Sequence, residues 1–154
     1  MEVDLDNGEI LMATLLGLLR NSVNRAAGVV DRKKGDLDPS RMDIDGMAAE
    51  VAFCKFQNLY PDFSISPQKL TYDCLTSDGN KVDIKQTHYP DGRLLVNPDK
   101  VESETTHYVL VIGRVPKFRM VGYAEKADIF VEKNLVDLHG REVYAITQGN
   151  LKKF

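Results

Sequence analysis

Apolar residues between 7 and 30 recur at helical spacing, with Asp6 or Asn7 able to cap the first turn and Glu9 inside it, so the pattern predicts a helix over 7–30. Its face of Leu11, Leu15, Leu18 and Leu19 needs a partner. The next stretch, "DRKKGDLDPSRMDIDG" (31–46), is charged, carries Gly35 and Pro39, and has no apolar period, which predicts a loop. A second helix is expected from 44 or 45 to 60, stopping before Pro61. Beyond it the period changes to two. Strands are expected at 69–75, 81–88, 94–97, 107–114 and 118–124, with a short helix or irregular crossover over 97–106. "EKADIFVEKNL" predicts a further short helix and "EVYAIT" a last, isolated strand. There is no internal repeat. The order points to an α/β fold, a mixed sheet with helices packed against it.

The chain has 154 residues and no Pro/Gly/Ser-rich linker, the size of one domain. Within it, 1–30 reads as an N-terminal helix, 31–45 as a charged loop, 46–130 as a core and 131–154 as a C-terminal extension. The most apolar run, 10–19, is too short to cross a bilayer and follows an acidic start, so neither a membrane span nor a signal peptide is expected. Cys54 and Cys74 are too few for a disulfide framework or a Cys-rich zinc site, which suits a reducing cytoplasm. The net charge of -3 and a pI near 5.6 supply no global attraction to nucleic acid. A polyanion would have to be held by a local patch or through metal ions. Arg32, Lys33, Lys34 and Arg41 are candidates for such a patch, as are Arg114, Lys117, Arg119 and Lys126, then Lys152 and Lys153; taken singly, each reads as an ordinary solvated side chain.

Candidate chemistry lies in "YDCLTSDGNKVDIKQT" (72–87), a hairpin around Asp78-Gly79 with an aspartate in each strand. A two-residue loop would send the two carboxylates to opposite faces; a three-residue loop, Ser77-Asp78-Gly79, sets Asp73 opposite Asp83. Alternation selects the second, because only it gathers Leu70, Tyr72, Cys74, Val82 and Ile84 on one face. The two aspartates are then cross-strand neighbours with Cβ atoms about 5 Å apart, repelling unless a positive group lies between them. A divalent cation is the obvious candidate, and Lys85 projects on the same face. Gln86 falls on the other face, with a structural or phosphate-contact role at the strand end. In "GMAAEVAFCKF" (46–56), Glu50 shares its helical face with Gly46, Met47, Phe53 and Cys54, where a carboxylate is costly unless paired or metal-bound. A rotated helix would instead let Glu50 reach water or a lysine.

At these residues the chain resembles the PD-(D/E)XK nuclease superfamily, in which a helix carrying Glu precedes a hairpin with Asp on one strand and Asp/Glu-x-Lys on the next. Glu50 in "GMAAEVAF", Asp73 in "TYDCL", and Asp83 and Lys85 in "VDIKQT" match that pattern, with Tyr72 standing where the naming proline would be. "THYVLVIG" and "FRMVGYAEKADIF" are similar to the closing strands and final helix of small phage-type members, so the likeness covers 45–130. It implies a restriction-endonuclease-like core of αβββαβ order, a central mixed sheet flanked by helices, with an extra N-terminal helix. It also implies Mg²⁺- or Mn²⁺-dependent hydrolysis of DNA phosphodiesters, by an endonuclease or exonuclease, without a small organic cofactor. Asp73, Asp83 and the Ile84 carbonyl would hold one ion, and Glu50 would complete that site or help hold a second. Lys85 would orient or deprotonate the attacking water. The alternatives are a catalytically inactive nucleic-acid-binding or structural module on the same fold, and a nuclease acting on RNA. The location implied is the cytoplasm, of the host if phage-encoded. A homodimer could form through the leucine-rich first helix, which could equally pack on its own sheet.

Little else competes. His88, His107 and His139 show no ligand spacing, and no Gly-x-Ser-x-Gly or Walker-type loop is present. "YPDGR" (89–93) is a turn from which Arg93 could touch a phosphate.

Overall fold

A computed structural model describes residues 1–28, 39–65 and 72–154. The N-terminal segment is not all helix: a strand, β1 (Glu2–Asp4), precedes helix α1 (Asn7–Ala26). The helix begins where its cap dictates. Asp6 accepts from the Glu9 amide at 2.9 Å while the Glu9 carboxylate accepts from the Asp6 amide at 2.7 Å, satisfying two donors that the first turn leaves open.

Helix α2 (Pro39–Gln57) starts earlier than the expected 44 or 45. Proline suits a first turn, where its missing N–H is no loss, and Arg41 pairs with Asp45 one turn on at 3.5 Å. The expected 31–45 loop is therefore helical from Pro39; its earlier part, with Arg32, Lys33 and Lys34, lies outside the described residues. The helix also stops short of Tyr60. Asn58 turns left-handed with φ 54°, and the Leu59 amide closes back on the Cys54 carbonyl at 2.8 Å.

Five strands form the main sheet in the order β1-β6-β5-β3-β2, with β2 at Cys74–Leu75, β3 at Lys81–Thr87, β5 at His107–Arg114 and β6 at Lys117–Glu125. β3 and β5 run parallel and the remaining pairs antiparallel, which makes the sheet mixed. Because side chains alternate, it has two apolar faces. Val82, Ile84, Val109 and Val111 bury against Met47, Val51 and Cys54 of α2, and α2 in turn carries α1. Tyr108, Leu110 and Ile112 bury on the other face, against a second sheet.

That second sheet was not anticipated. The "EVYAIT" strand, expected to be isolated, is β8 (Glu142–Ile146), paired on one side with β4 (Leu94–Val96) and on the other with β7 (Leu135–Asp137). Its partner β4 buries Leu94 and Val96 beneath the main sheet, so pairing and apolar burial are met together. The expected helix after 124 is a single turn, α3 (Lys126–Ile129), and a 3₁₀ turn follows at Glu132–Asn134. Where the αβββαβ order would place a helix after the third strand, the crossover from β3 to β5 passes through β4, in the second sheet, and then a 3₁₀ turn at Pro98–Glu102. The architecture is mixed α/β, helices on one face and a small sheet on the other. Among the described residues no helix is long and apolar enough to cross a membrane.

Candidate functional site

The hairpin has the three-residue loop. Cys74 pairs with Val82 and Leu75 with Lys81, the Thr76 amide donates to the Asn80 carbonyl at 3.0 Å, and Gly79 takes the left-handed position at φ 84°. β2 is shorter than the expected strand: Tyr72 and Asp73 form a bend, and 69–71, with Leu70, lie outside the described residues. Asp73 nonetheless brackets Asp83. Its amide donates to the Val82 carbonyl at 2.7 Å, and its Oδ2 accepts from the Ile84 amide at 2.7 Å. Within a strand a residue's amide and carbonyl point to the same edge, so the Ile84 carbonyl faces the Asp73 side as well.

Asp83 is the deepest charge here, with 3% of its surface exposed. Period-2 alternation sends it away from Val82 and Ile84, toward Tyr108, its register partner on β5. The Lys85 ammonium meets Oδ1, and that of Lys100, from the 3₁₀ turn of the crossover, lies 3.5 Å from Oδ2. Oδ1 is met as a charge contact without a well-directed hydrogen bond; among the described residues it is the single buried side-chain oxygen or nitrogen left so. Burial drives the Asp83 carboxyl above the ordinary aspartate range; Lys85 opposes this and the Asp73 charge adds to it. Burial also pulls Lys85 down, but the Asp83 and Asp73 carboxylates outweigh it and hold Lys85 above its ordinary value. Tyr108 is raised by its burial, and its hydroxyl lies 3.1 Å from Ser103 Oγ.

Glu50 does not join this group. Arg20 of α1 donates to its Oε2 at 2.8 Å, and the same guanidinium donates to the carbonyls of Asp62 at 2.6 Å and Ser64 at 3.0 Å. The rotated-helix alternative named a lysine or water; the partner is an arginine thirty residues earlier in the chain. Glu50 is still a neighbour of the hairpin. The Cys74 thiol is pushed up chiefly by its hydrogen bond with Cys54, then by burial, with the Asp73 and Glu50 charges adding to both. Among the described residues no three His, Cys, Asp or Glu side chains gather closely enough to hold a metal ion.

The basic candidates are spread out. Tyr108, beside Asp83, and Arg114 are six residues apart on β5, about 20 Å at ~3.3 Å per residue, so Arg114 and its pair Lys117 mark the far end of the sheet. Arg119 is engaged, donating to the Pro90 carbonyl at 3.0 Å and to Gln148 Oε1 at 3.4 Å. Arg93 is exposed on the crossover. Gln86 is structural: its amide donates to the Gly113 carbonyl at 2.7 Å. Sequence reasoning missed Lys100 as a contact of Asp83, because nothing in the spacing of "NPDKVESETT" reveals where the crossover folds. It also missed Asp45, buried in α2 and contacted by Arg41 and the Val115 amide; its place in a charged stretch hid it.

Asp73 lies close enough to Asp83 for the two charges to repel, and carboxylate oxygens suit a hard divalent cation, which takes oxygen ligands and keeps several waters. Comparison with family models, curated proteins and solved structures finds no match, so the reading of this site rests on its own geometry.

Proposed function

We propose that this protein is a metal-dependent phosphodiesterase acting on DNA, built on a restriction-endonuclease-like core. The observation that supports it is Asp73 bracketing Asp83, with the buried Oδ1 against Lys85. Asp73, Asp83 and the Ile84 carbonyl would hold Mg²⁺ or Mn²⁺. An ion held there supplies charge neutralisation and polarisation of a phosphoryl oxygen. Lys85, about a third exposed at 32%, carries a positive charge that can reach a substrate phosphate and offset the charge gathering on it. Lys100 adds a second cation on the same side. Glu50, fastened by Arg20, shapes the helix behind the hairpin and contributes through that position.

Cleavage of plasmid, linear and branched DNA, and of RNA, with Mg²⁺ or Mn²⁺ tests the reading. Asp83→Asn is expected to lower the rate by about 10²-fold or more, the scale on which removal of an electrostatic group at a reacting centre is felt. Lys85→Ala should act comparably. Calorimetry should give metal binding to the wild type and its loss in Asp83→Asn. No cleavage under any condition, or cleavage that survives Asp83→Asn, refutes it. One observation favours a second reading, a non-catalytic module on the same fold: the third acid, Glu50, is committed to Arg20. That module would bind DNA without cutting it, and its binding would be indifferent to Asp83→Asn.

A further inference from the structure

Helix α1 is apolar on two opposite sides. One side, with Ala13, Leu16 and Gly17, is buried in the contact with α2. The other carries Leu11, Met12, Leu15, Leu18 and Leu19, each between 44% and 59% exposed. At 100° per residue these five fall within one stripe, continued by the small residues Gly8, Ser22 and Ala26. A soluble helix with one core-facing stripe needs no second one. The stripe amounts to on the order of 400 Å² of contiguous apolar surface, at the size where a patch on a monomer usually marks a contact.

We infer that this face binds a second copy of the same chain, with the two α1 helices antiparallel across a twofold axis. Two such stripes would bury on the order of 800 Å² from these side chains alone, and their polar rims bring the total near the roughly 1,200 Å² at which specific interfaces begin. The stripe is self-complementary about its middle. With Leu15 on the axis, Leu11 faces Leu19 of the second copy and Met12 faces Leu18, so each large side chain meets another. Charge agrees with that direction. The N-terminal end carries Glu2, Asp4 and Asp6 and the C-terminal end Arg25, so an antiparallel pair brings Arg25 of each copy toward Asp4 and Asp6 of the other and opposes the helix dipoles. The same acidic end, together with the net charge of -3, disfavours an anionic bilayer as the occupant. This assignment is independent of the chemistry at Asp83.

The full chain should be weighed by light scattering and sedimentation from micromolar to hundreds of micromolar, with two variants at the axis. The wild type should weigh twice its 17.3 kDa at the upper end, and Leu15→Glu should weigh 17.3 kDa throughout with unchanged circular dichroism. Leu15→Cys should form an intermolecular disulfide with itself under a mild disulfide oxidant such as oxidised glutathione, each thiol giving up its hydrogen. Leu19→Cys should not, because it faces Leu11. The native Cys54 and Cys74 are buried and supply no background. A wild type that is monomeric throughout, a dimer that survives Leu15→Glu, or equal crosslinking at 15 and 19 overturns the inference. So does flotation with zwitterionic or anionic vesicles that Leu15→Glu abolishes, which would assign the face to lipid.

Discussion

Arg20 is the side chain whose removal should be felt most widely, because it ties three segments together. Its guanidinium is 13% exposed and pairs with Glu50, itself 14% exposed, while also donating to the carbonyls of Asp62 and Ser64. Arg20→Ala leaves the Glu50 carboxylate nearly buried with its arginine gone, and breaking a buried pair from one side costs about 3–5 kcal/mol. The remaining exposure of Glu50 argues for the lower end, about 3 kcal/mol. For a chain of this length each kcal/mol moves Tm by about 2–4 °C, so the melting point should fall by about 6–12 °C. Glu50→Gln keeps the shape and an acceptor oxygen, and should cost about 1 kcal/mol. Replacing both residues, as Arg20→Met with Glu50→Met, removes the buried charge and should recover about a third of the Arg20→Ala loss. Recovery stops short of the wild type because the Asp62 and Ser64 carbonyls lose their donor, at about 1 kcal/mol each. Urea titrations monitored by circular dichroism of the wild type, Arg20→Met, Glu50→Met and the double variant give the four corners of the cycle. A loss below about 1 kcal/mol for Arg20→Ala, or additive single effects, would refute the reasoning and release Glu50 to act as a ligand. The same variants test function, since Glu50→Gln should keep most of any cleavage activity while Asp83→Asn removes it.

Asp83 makes a signed pH prediction. Its folded pKa lies above the ordinary 3.8, so the proton is held more tightly in the folded state; that stabilisation is complete below 3.8 and is lost as pH rises through the folded value. Asp83→Asn does not titrate, so its Tm relative to wild type should climb from pH 3.5 toward neutrality; a relative fall would mean that Lys85 and Lys100 dominate instead. Gly113 sits at φ 137°, where an added Cβ would lie 2.2 Å from the Lys117 carbonyl oxygen, so Gly113→Ala should cost about 2 kcal/mol or more and lower Tm by at least about 4 °C. A neutral result there would mean that the hairpin reopens freely. If the Asp73–Asp83 pair binds Mg²⁺ as proposed, saturating metal at 100 times Kd should stabilise the wild type by about 2.7 kcal/mol and leave Asp83→Asn unmoved in thermal melts. Equal stabilisation of both proteins would place the ion elsewhere.

The hairpin register was decided within sixteen residues. Glycine in a left-handed turn position and strict alternation of Cys74, Val82 and Ile84 leave one pairing that buries a single face, so the neighbourhood of Asp73 and Asp83 could be read from letters alone. The same holds for the capped start of α1, which uses contacts within one turn. What Glu50 pairs with, which cation reaches Asp83 from the crossover, and where "EVYAIT" finds its neighbours were settled only by docking of distant segments. Those outcomes depend on long side chains and short strands whose local preferences are nearly neutral. Tertiary burial therefore chooses among partners that the sequence pattern cannot rank, and it also decided which side of α1 met the rest of the chain and which five apolar residues were left outside.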